Sequence, residues 1–161
     1  MKSFLKYWLP LLIWLGVIFL ASADLMSAEH TSRLIVPILL WLKPGMAPET
    51  IRSILFFIRK CAHVSEYAIL ALLLWRALRS GPILRTKTPV LFGAVLLACA
   101  VFAASDEFHQ SFVKSRTPSV RDVLLDSAGA ILGVLIGAAF VQCRSKRPQS
   151  IARKDVVDAR L

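Results

Sequence analysis

The stretch VLFGAVLLACAVFAASDEFHQ, residues 90–110, joins a long apolar run to two acids, a histidine and a glutamine. Its first part, 90–104, contains no charged residue. With its flanks it approaches the length of about 20 residues that an α-helix needs to cross the hydrocarbon of a bilayer. We therefore predict a transmembrane helix from about Pro89 to Ala104. Its polar end, SDEFHQ, either marks where the helix meets water or belongs to a functional site.

The composition of the whole chain supports a membrane protein. The 161 residues are 57% hydrophobic and their mean hydropathy is +0.64, whereas a soluble domain has about 45–50% apolar residues. The formal net charge is +10, but the basic residues flank apolar runs and form no basic–aromatic face, which argues against nucleic acid as a partner. Membrane lipid, with its anionic headgroups, is the partner that this charge fits.

Three further segments are typical of membrane spans. Residues 4–23 have a basic start and the length of a span, although Ala21-Ser22-Ala23 also fits a signal-peptidase site. Cleavage is therefore the alternative to a retained first helix. The second span is predicted at about 61–78, and the fourth from Pro118 to about Cys143. Because the chain has these other membrane spans, we predict that the first helix is retained, which gives four spans in all.

Two shorter segments lie between the first and second spans. Residues 34–42 are too short to cross a bilayer and contain Pro37, so an interfacial or re-entrant segment fits better. Residues 46–60 then predict an amphipathic helix that leads into the second span. The predicted fold is all-α: an integral membrane bundle of four transmembrane helices with an interfacial or re-entrant helical segment between the first and second. We divide the chain into a transmembrane domain, 1–143, and a basic, mobile cytoplasmic tail, 144–161.

Basic residues predict the orientation of the bundle. They precede the first span, dominate the tail, and occur between the second and third spans at Arg76, Arg79, Arg85 and Lys87. Because positive loops stay in the cytoplasm, both termini are predicted to be cytoplasmic and SDEFHQ to face outward. The opposite side also carries bases, placed among acids and histidines, which indicates a use for them other than topology.

The fourth span contains a repeated small residue. Gly129, Gly133 and Gly137 recur every four residues and so line one face of the helix. Such a smooth face permits the close approach of another membrane helix. The partner helix could belong to the same bundle or to a second copy, so the oligomeric state is left open.

Polar residues gather at the predicted outer ends of three spans. They are Arg59, Lys60, His63, Glu66 and Tyr67 of the second span, Asp106, Glu107, His109 and Gln110 of the third, Ser119, Arg121, Asp122 and Asp126 of the fourth, and Lys114 and Arg116 between them. Spacings of three and four residues place those of each span on one helical face. An ionisable group at the centre of a membrane helix costs about 2.5 to 3.5 kcal/mol. Three helices packed around a shared polar pocket are therefore expected.

Two of these segments carry a resemblance. RKCAHVSEYAILALLL, residues 59–74, and SDEFHQSFVKSRTPSVRDVLLDSAGAILG, residues 105–133, resemble the hallmark segments of the VanZ-like family. The family pattern is roughly R-K-x-x-H-x-x-E-Y-x-x-L, then D-E-x-x-Q-x-F-x-x-x-R-x-x-S-x-x-D-x-x-x-N-x-x-G. The matching positions are Arg59, Lys60, His63, Glu66, Tyr67, Asp106, Glu107, Gln110, Arg116, Ser119, Asp122 and Gly129. Asp126 departs from the pattern, since the family usually has asparagine there.

The resemblance implies a bacterial plasma-membrane protein whose site faces the cell envelope. The founding member of the family is associated with low-level teicoplanin resistance, so a role in glycopeptide resistance is an expectation for this chain. The pattern does not require His109, which we interpret as a solvated helix end. Asp122 lies three residues after Ser119, the spacing of a capping box, so capping its own helix is an alternative to a site role.

The preferred hypothesis is a pocket that recognises the headgroup of an anionic lipid or of a lipid-linked glycan, such as an envelope precursor. Arg59, Lys60, Arg116 and Arg121 would hold a phosphate. The remaining binding residues are Tyr67, Gln110, Ser119, Asp122 and Asp126, and the candidate catalytic residues are His63, Glu66, Asp106 and Glu107. If the pocket is catalytic, His63 and Glu66 are the candidate acid and base.

Two alternatives belong to other functional classes. A metal-dependent hydrolase or transferase would use Asp106, Glu107, Asp122, Asp126 and His63 as ligands of Mg, Ca or Mn, or of Zn if His63 takes part. The sequence has no tight metal-ligand motif, so we assign no cofactor. A non-enzymatic bundle would use the same polar groups as ion pairs that hold its helices together.

Overall fold

All the secondary structure in the described part of the chain is α-helical. The computed structural model describes residues 2–22, 28–80, 88–112 and 119–158, and side chains only within 4–22, 31–80, 88–112 and 119–143. The helices are α1 Lys2–Ser22, α2 Ala28–Leu42, α3 Pro48–Arg79, α4 Thr88–Gln110 and α5 Val120–Asp158. Phe4–Ser22, Pro48–Arg79, Thr88–Gln110 and Val120–Cys143 are long and apolar enough to cross a membrane. The predicted fold class is confirmed, with α2 as the short helix between the first and second spans.

The second span is longer than the sequence pattern predicted. The amphipathic segment 46–60 and the span 61–78 are not separate elements, because α3 runs unbroken through both. No glycine or proline interrupts it after Pro48, which stands at the start of the helix, where proline is tolerated. At 32 residues and 1.5 Å per residue, α3 is about 48 Å long, which exceeds the roughly 30 Å of bilayer hydrocarbon.

One of the other helix ends agrees with the prediction and one differs from it. Helix α4 ends at Gln110, so SDEFHQ is the polar end of this helix, as its spacings indicated. Helix α5 continues past Cys143 to Asp158, so the backbone of most of the predicted tail is helical. The mobility of the tail and its cytoplasmic side stay predictions.

The core lies where α1, α3, α4 and α5 meet. In α4, residues at intervals of four face inward: Leu91, Val95, Cys99 and Ala103 are buried, and the same stripe continues to Glu107. Tyr67 of α3, which is 1% exposed, belongs to the same buried cluster. The apolar core is therefore continuous with the polar end of the bundle. Large apolar side chains are exposed around the helices, as expected for surfaces that face lipid.

Helices α3 and α5 run parallel and touch at the glycine face. A Cβ atom on Gly129 or on Gly133 would lie closer than 3.0 Å to the carbonyl oxygen of Val64 or of Ala68, respectively. At Gly137 the same atom would meet only side chains, the nearest being Leu72 at 3.3 Å. The first two glycines therefore pack against another helix of the same bundle, which answers the question that the sequence left open about their partner.

This contact leads to a test. Gly133→Ala should lower the free energy of unfolding by about 1–3 kcal/mol, because the added methyl group meets the backbone of α3, which cannot rotate away. Gly93→Ala in α4 is the matched control, since nothing lies within 4 Å of its Cβ position. Unfolding of both variants in detergent micelles measures the difference. Equal stabilities would show that α3 and α5 are not in close contact.

Candidate functional site

Two side-chain pairs connect α3 to α5. Along both helices, they precede the contact between Val64 and Gly129. The Lys60 Nζ donates to Asp122 Oδ1, and one turn further on His63 Nδ1 lies 3.2 Å from Asp126 Oδ1. Because the helices are parallel, the i, i+3 spacing on α3 and the i, i+4 spacing on α5 keep the two pairs in register. The four residues predicted from their spacing are thus brought together by the fold.

The His63–Asp126 pair is more deeply buried than the Lys60–Asp122 pair. The Asp126 side chain is fully buried and that of His63 is 12% exposed, whereas the exposure of Lys60 is 28%. A buried carboxylate is stable only with a partner, and the loss of one member of such a pair leaves the other uncompensated. These two pairs therefore hold the polar end of α3 against α5, as the structural alternative predicted.

Glu107 of α4 caps the start of α5. Its Oε2 accepts a hydrogen bond of 2.7 Å from the backbone N–H of Ser119, and Ser119 Oγ accepts one of 3.2 Å from the N–H of Arg121. In a capping box the residue at the third helical position, here Asp122, would accept the first of these bonds. The capping role considered for Asp122 is therefore wrong, because Glu107 takes it and Asp122 pairs with Lys60.

Asp106 and His109 line a second feature, a cleft of about 320 Å³ between α1, α3 and α4. Gln110 Nε2 donates a 2.9 Å hydrogen bond to Asp106 Oδ2. The His109 ring packs on Phe19 of α1, with 4.8 Å between ring centroids. His109 is therefore half-buried and not the solvated helix end that we expected. No local pattern in the sequence indicates this contact, because it depends on how α1 is rotated.

Several buried polar atoms lack a partner among the described residues. They are Tyr67 OH, Glu107 Oε1, Asp126 Oδ2 and His109 Nδ1. Nearly all buried polar side-chain atoms in proteins are hydrogen-bonded, so such atoms call for an explanation. Together they come from three helices, and each belongs to the polar end of the bundle. Two of these residues, Tyr67 and His109, also line the cleft between α1, α3 and α4.

The remaining predicted site residues lie around this core. Glu66 is on the α1 side of α3, where Trp14 Nε1 donates a 3.0 Å hydrogen bond to its backbone carbonyl. Arg59 is half-buried and Arg121 is exposed, and no described carboxylate forms an ion pair with either. Arg116 falls in 113–118, outside the described residues. We call Lys60, His63, Tyr67, Asp106, Glu107, Gln110, Ser119, Asp122 and Asp126 the polar cluster.

Comparison with protein families decides the assignment. The family model VanZ/LLP1 matches residues 7–141, which cover nearly all of the four spans and the whole polar cluster. The chain belongs to the VanZ/LLP1 family. A search of curated proteins and a search of solved structures each found no significant match. The resemblance found in the sequence is confirmed, and with the apolar helices it supports a multi-pass VanZ-like membrane protein.

Asp126 is one position at which this VanZ-like chain departs from the pattern, and it is the residue that pairs with His63. An asparagine there could accept a hydrogen bond from His63 but would carry no charge. The aspartate therefore adds an acid to the fully buried part of the cluster.

The geometry gives little support to the metal alternative. Within the described ranges, no group of three His, Cys, Asp or Glu side chains lies close enough together to hold a metal ion. The acids of the polar cluster are instead distributed: Asp122 and Asp126 face α3, Glu107 caps α5, and Asp106 binds Gln110. The five residues considered as metal ligands therefore do not form one ligand set.

A double-mutant cycle tests whether Lys60 and Asp122 hold α3 to α5. Lys60→Met and Asp122→Asn should each destabilise the protein, because each leaves a partly buried charge without its partner. The double variant should be less destabilised than the sum of the two, by a coupling free energy of about 0.5–3 kcal/mol. Thermal unfolding in detergent measures all three variants. Lys43→Met, at an exposed lysine, is the control, and additive effects would show that the pair is not coupled.

Proposed function

We propose that this VanZ-like protein binds the headgroup of a lipid-linked glycan at its polar cluster, on the outer face of a bacterial plasma membrane. The observation that carries the proposal is the set of buried polar atoms, Tyr67 OH, Glu107 Oε1 and Asp126 Oδ2, that have no partner among the described residues. They interrupt a bundle in which other polar side chains at this end are paired.

The chemistry of these atoms favours a ligand that donates hydrogen bonds. A carboxylate oxygen only accepts, and the Tyr67 hydroxyl both accepts and donates. Sugar hydroxyls match these atoms, whereas the oxygens of a bare phosphate would meet carboxylates of the same charge. The buried part of the site is thus suited to a glycan and not to a phosphate alone.

A phosphate has a separate place at the same end. Arg59 and Arg121 carry guanidinium groups that no described carboxylate neutralises. A guanidinium binds phosphate through two parallel hydrogen bonds, which makes arginine a common phosphate ligand. An anionic lipid whose phosphate bears a sugar would therefore use both the arginines and the buried atoms, which supports the lipid-linked glycan over a simple anionic lipid.

The cleft beside Tyr67 suits the hydrocarbon of such a lipid. Leu15 and Ile18 of α1 and Phe102 of α4 form apolar parts of its wall. Tyr67 and Asp106 also line the cleft, so its apolar surface adjoins the polar cluster. A lipid chain that enters from the bilayer could follow this wall while its headgroup meets the polar atoms.

One observation favours acid–base chemistry as a second function. Asp126 holds Nδ1 of His63, and His63 Nε2 makes no hydrogen bond with a described residue. A carboxylate that orients one imidazole nitrogen leaves the other to exchange a proton with a substrate, as in many catalytic pairs. Binding without chemistry and binding followed by proton transfer both use the same headgroup site.

The proposal predicts a selective loss of binding. Tyr67→Phe and Glu107→Gln should each weaken binding of a polyprenyl-diphosphate-linked disaccharide by about five- to a hundredfold, since the loss of a hydrogen bond to a buried polar group costs about 1–3 kcal/mol. Binding is measured as the rise in thermal midpoint of the full chain in detergent on addition of the lipid. The same variants should lower the teicoplanin resistance of cells that express them at unchanged protein level.

Matched controls separate this result from general damage. Tyr7→Phe lies at the other end of the bundle, and Glu49→Gln is an exposed acid in the first turn of α3, so both should bind like the unmodified chain. Polyprenyl phosphate without sugar should give a smaller shift. If all four variants bind the disaccharide lipid equally well, the polar cluster is not its site.

The outward orientation is tested separately by cysteine labelling. Ser111→Cys, after the end of α4, should react with a membrane-impermeant maleimide in intact cells, in a background with Cys61→Ser and Cys143→Ser. Ser80→Cys lies at the end of α3 that is farther from the polar cluster, and it should react only after the cells are broken. Both serines are exposed. The reverse labelling pattern would place the polar cluster on the cytoplasmic side.

A further inference from the structure

A larger groove lies at the other end of the bundle, among α1, α3 and α5. Its volume is about 790 Å³, within the range of about 300–1,000 Å³ that is usual for small-molecule sites. Its apolar walls are formed by Leu72, Leu73, Ile136, Phe140 and Val141. Arg76, Arg79 and Ser80 lie at the same end, where α3 finishes. We call this surface the basic groove.

Trp75 lines the basic groove beside Gly137. Trp75 Cδ1, the carbon bonded to Nε1, lies 3.7 Å from the position that a Cβ on Gly137 would occupy. Trp75 is only 5% exposed, and Phe92 packs on its ring edge-on, with 4.7 Å between ring centroids. The indole is therefore held in place beside the groove, of which Trp75 is a lining residue.

The N–H of this indole has no acceptor among the described residues. Trp75 Nε1 is buried and makes no hydrogen bond with any residue that the structure describes. The indole nitrogen can only donate, so a fixed donor without a described acceptor lies in a side chain that lines the groove. A molecule that satisfies it must bring an acceptor.

Two arginines add positive charge beside this donor. Arg76 is fixed in place: its Nη2 donates a 3.0 Å hydrogen bond to the carbonyl of Lys6, and its guanidinium lies 5.3 Å from the centre of the Tyr7 ring. Arg79 is half-buried, and no described carboxylate pairs with it. The groove therefore combines two cations and an indole donor with apolar walls.

We propose that the basic groove binds one anionic diacyl phospholipid. Its phosphate would accept hydrogen bonds from Arg79 and from Trp75 Nε1, close to the charge of Arg76, and its acyl chains would lie along the apolar walls. Basic pockets between transmembrane helices bind anionic headgroups in this way. The polar cluster presents mainly acceptors, whereas the basic groove presents an indole donor and cations, so the two sites select different headgroups.

Native mass spectrometry of the full chain tests this proposal. The protein is released from micelles that contain equal amounts of phosphatidylglycerol and phosphatidylcholine, and its lipid adducts are counted. A single phosphatidylglycerol adduct is expected on a monomer, with little phosphatidylcholine. Arg79→Gln should reduce its occupancy constant about tenfold, in keeping with the loss of one charge-assisted hydrogen bond.

Two further variants keep the test decisive. Trp75→Phe retains an aromatic ring but removes the N–H, so it should weaken the adduct several-fold even if Arg79→Gln folds poorly. Arg52→Gln removes a charge from an exposed position of the same helix near its opposite end and should have no effect. If Arg52→Gln weakens the adduct as much as Arg79→Gln, the lipid responds only to net charge and the proposal is wrong.

Three other results would also overturn it. These are an adduct that shows no preference for phosphatidylglycerol, an adduct unchanged in both Arg79→Gln and Trp75→Phe, and a lipid-free dimer. The last would show that a second copy covers the groove. The test is independent of the function proposed for the polar cluster, because Tyr67→Phe should leave the phosphatidylglycerol adduct unchanged while it weakens binding of the glycan lipid.

Discussion

The close contact of two parallel backbones, α3 and α5, is the constraint on which the rest of the structure depends. Gly129 and Gly133 allow α5 to lie against the carbonyls of Val64 and Ala68. In a bilayer there is little hydrophobic gain when helices associate, so close packing and polar contacts must hold them. The glycine face also sets the register of the two helices. That register brings Lys60 to Asp122 and His63 to Asp126.

Polar side chains can be buried at one end of this apolar bundle because each acid there has a separate partner. Three acids have three different partners: Asp122 pairs with a lysine, Asp126 with a histidine, and Glu107 with the backbone at the start of α5. Because Glu107 of α4 caps the start of α5, Asp122 in the first turn of α5 is available to pair with Lys60 of α3. The Glu107 carboxylate thus helps to position α5 against both of its neighbours, and its second oxygen still lacks a described partner.

The sequence predicted those parts of the molecule that depend on single helices. Apolar length identified the four spans, and spacings of three and four residues placed Lys60, His63, Asp122 and Asp126 on facing surfaces. The length of the second span was underestimated because hydropathy falls at residues 59–60, although nothing there breaks helix α3. The cap by Glu107 and the contact of His109 with Phe19 depend on how separate helices are rotated relative to each other. Such rotation is set by packing, which no local pattern in one sequence records.

The two ends of the bundle differ in the hydrogen bonds that they leave unsatisfied among the described residues. At the polar end the buried atoms without partners are mostly acceptors, such as Glu107 Oε1 and Asp126 Oδ2, whereas at the other end the buried atom is the Trp75 donor. In the sequence, basic segments flank the end of the bundle that contains Trp75, and these segments are predicted to be cytoplasmic. The cytoplasmic leaflet of the membrane carries an anionic surface potential. Predicted topology and local chemistry therefore agree on one arrangement. In this predicted arrangement, the end with the buried Trp75 donor lies at the cytoplasmic leaflet, and the end with the buried Glu107 and Asp126 acceptors faces the envelope.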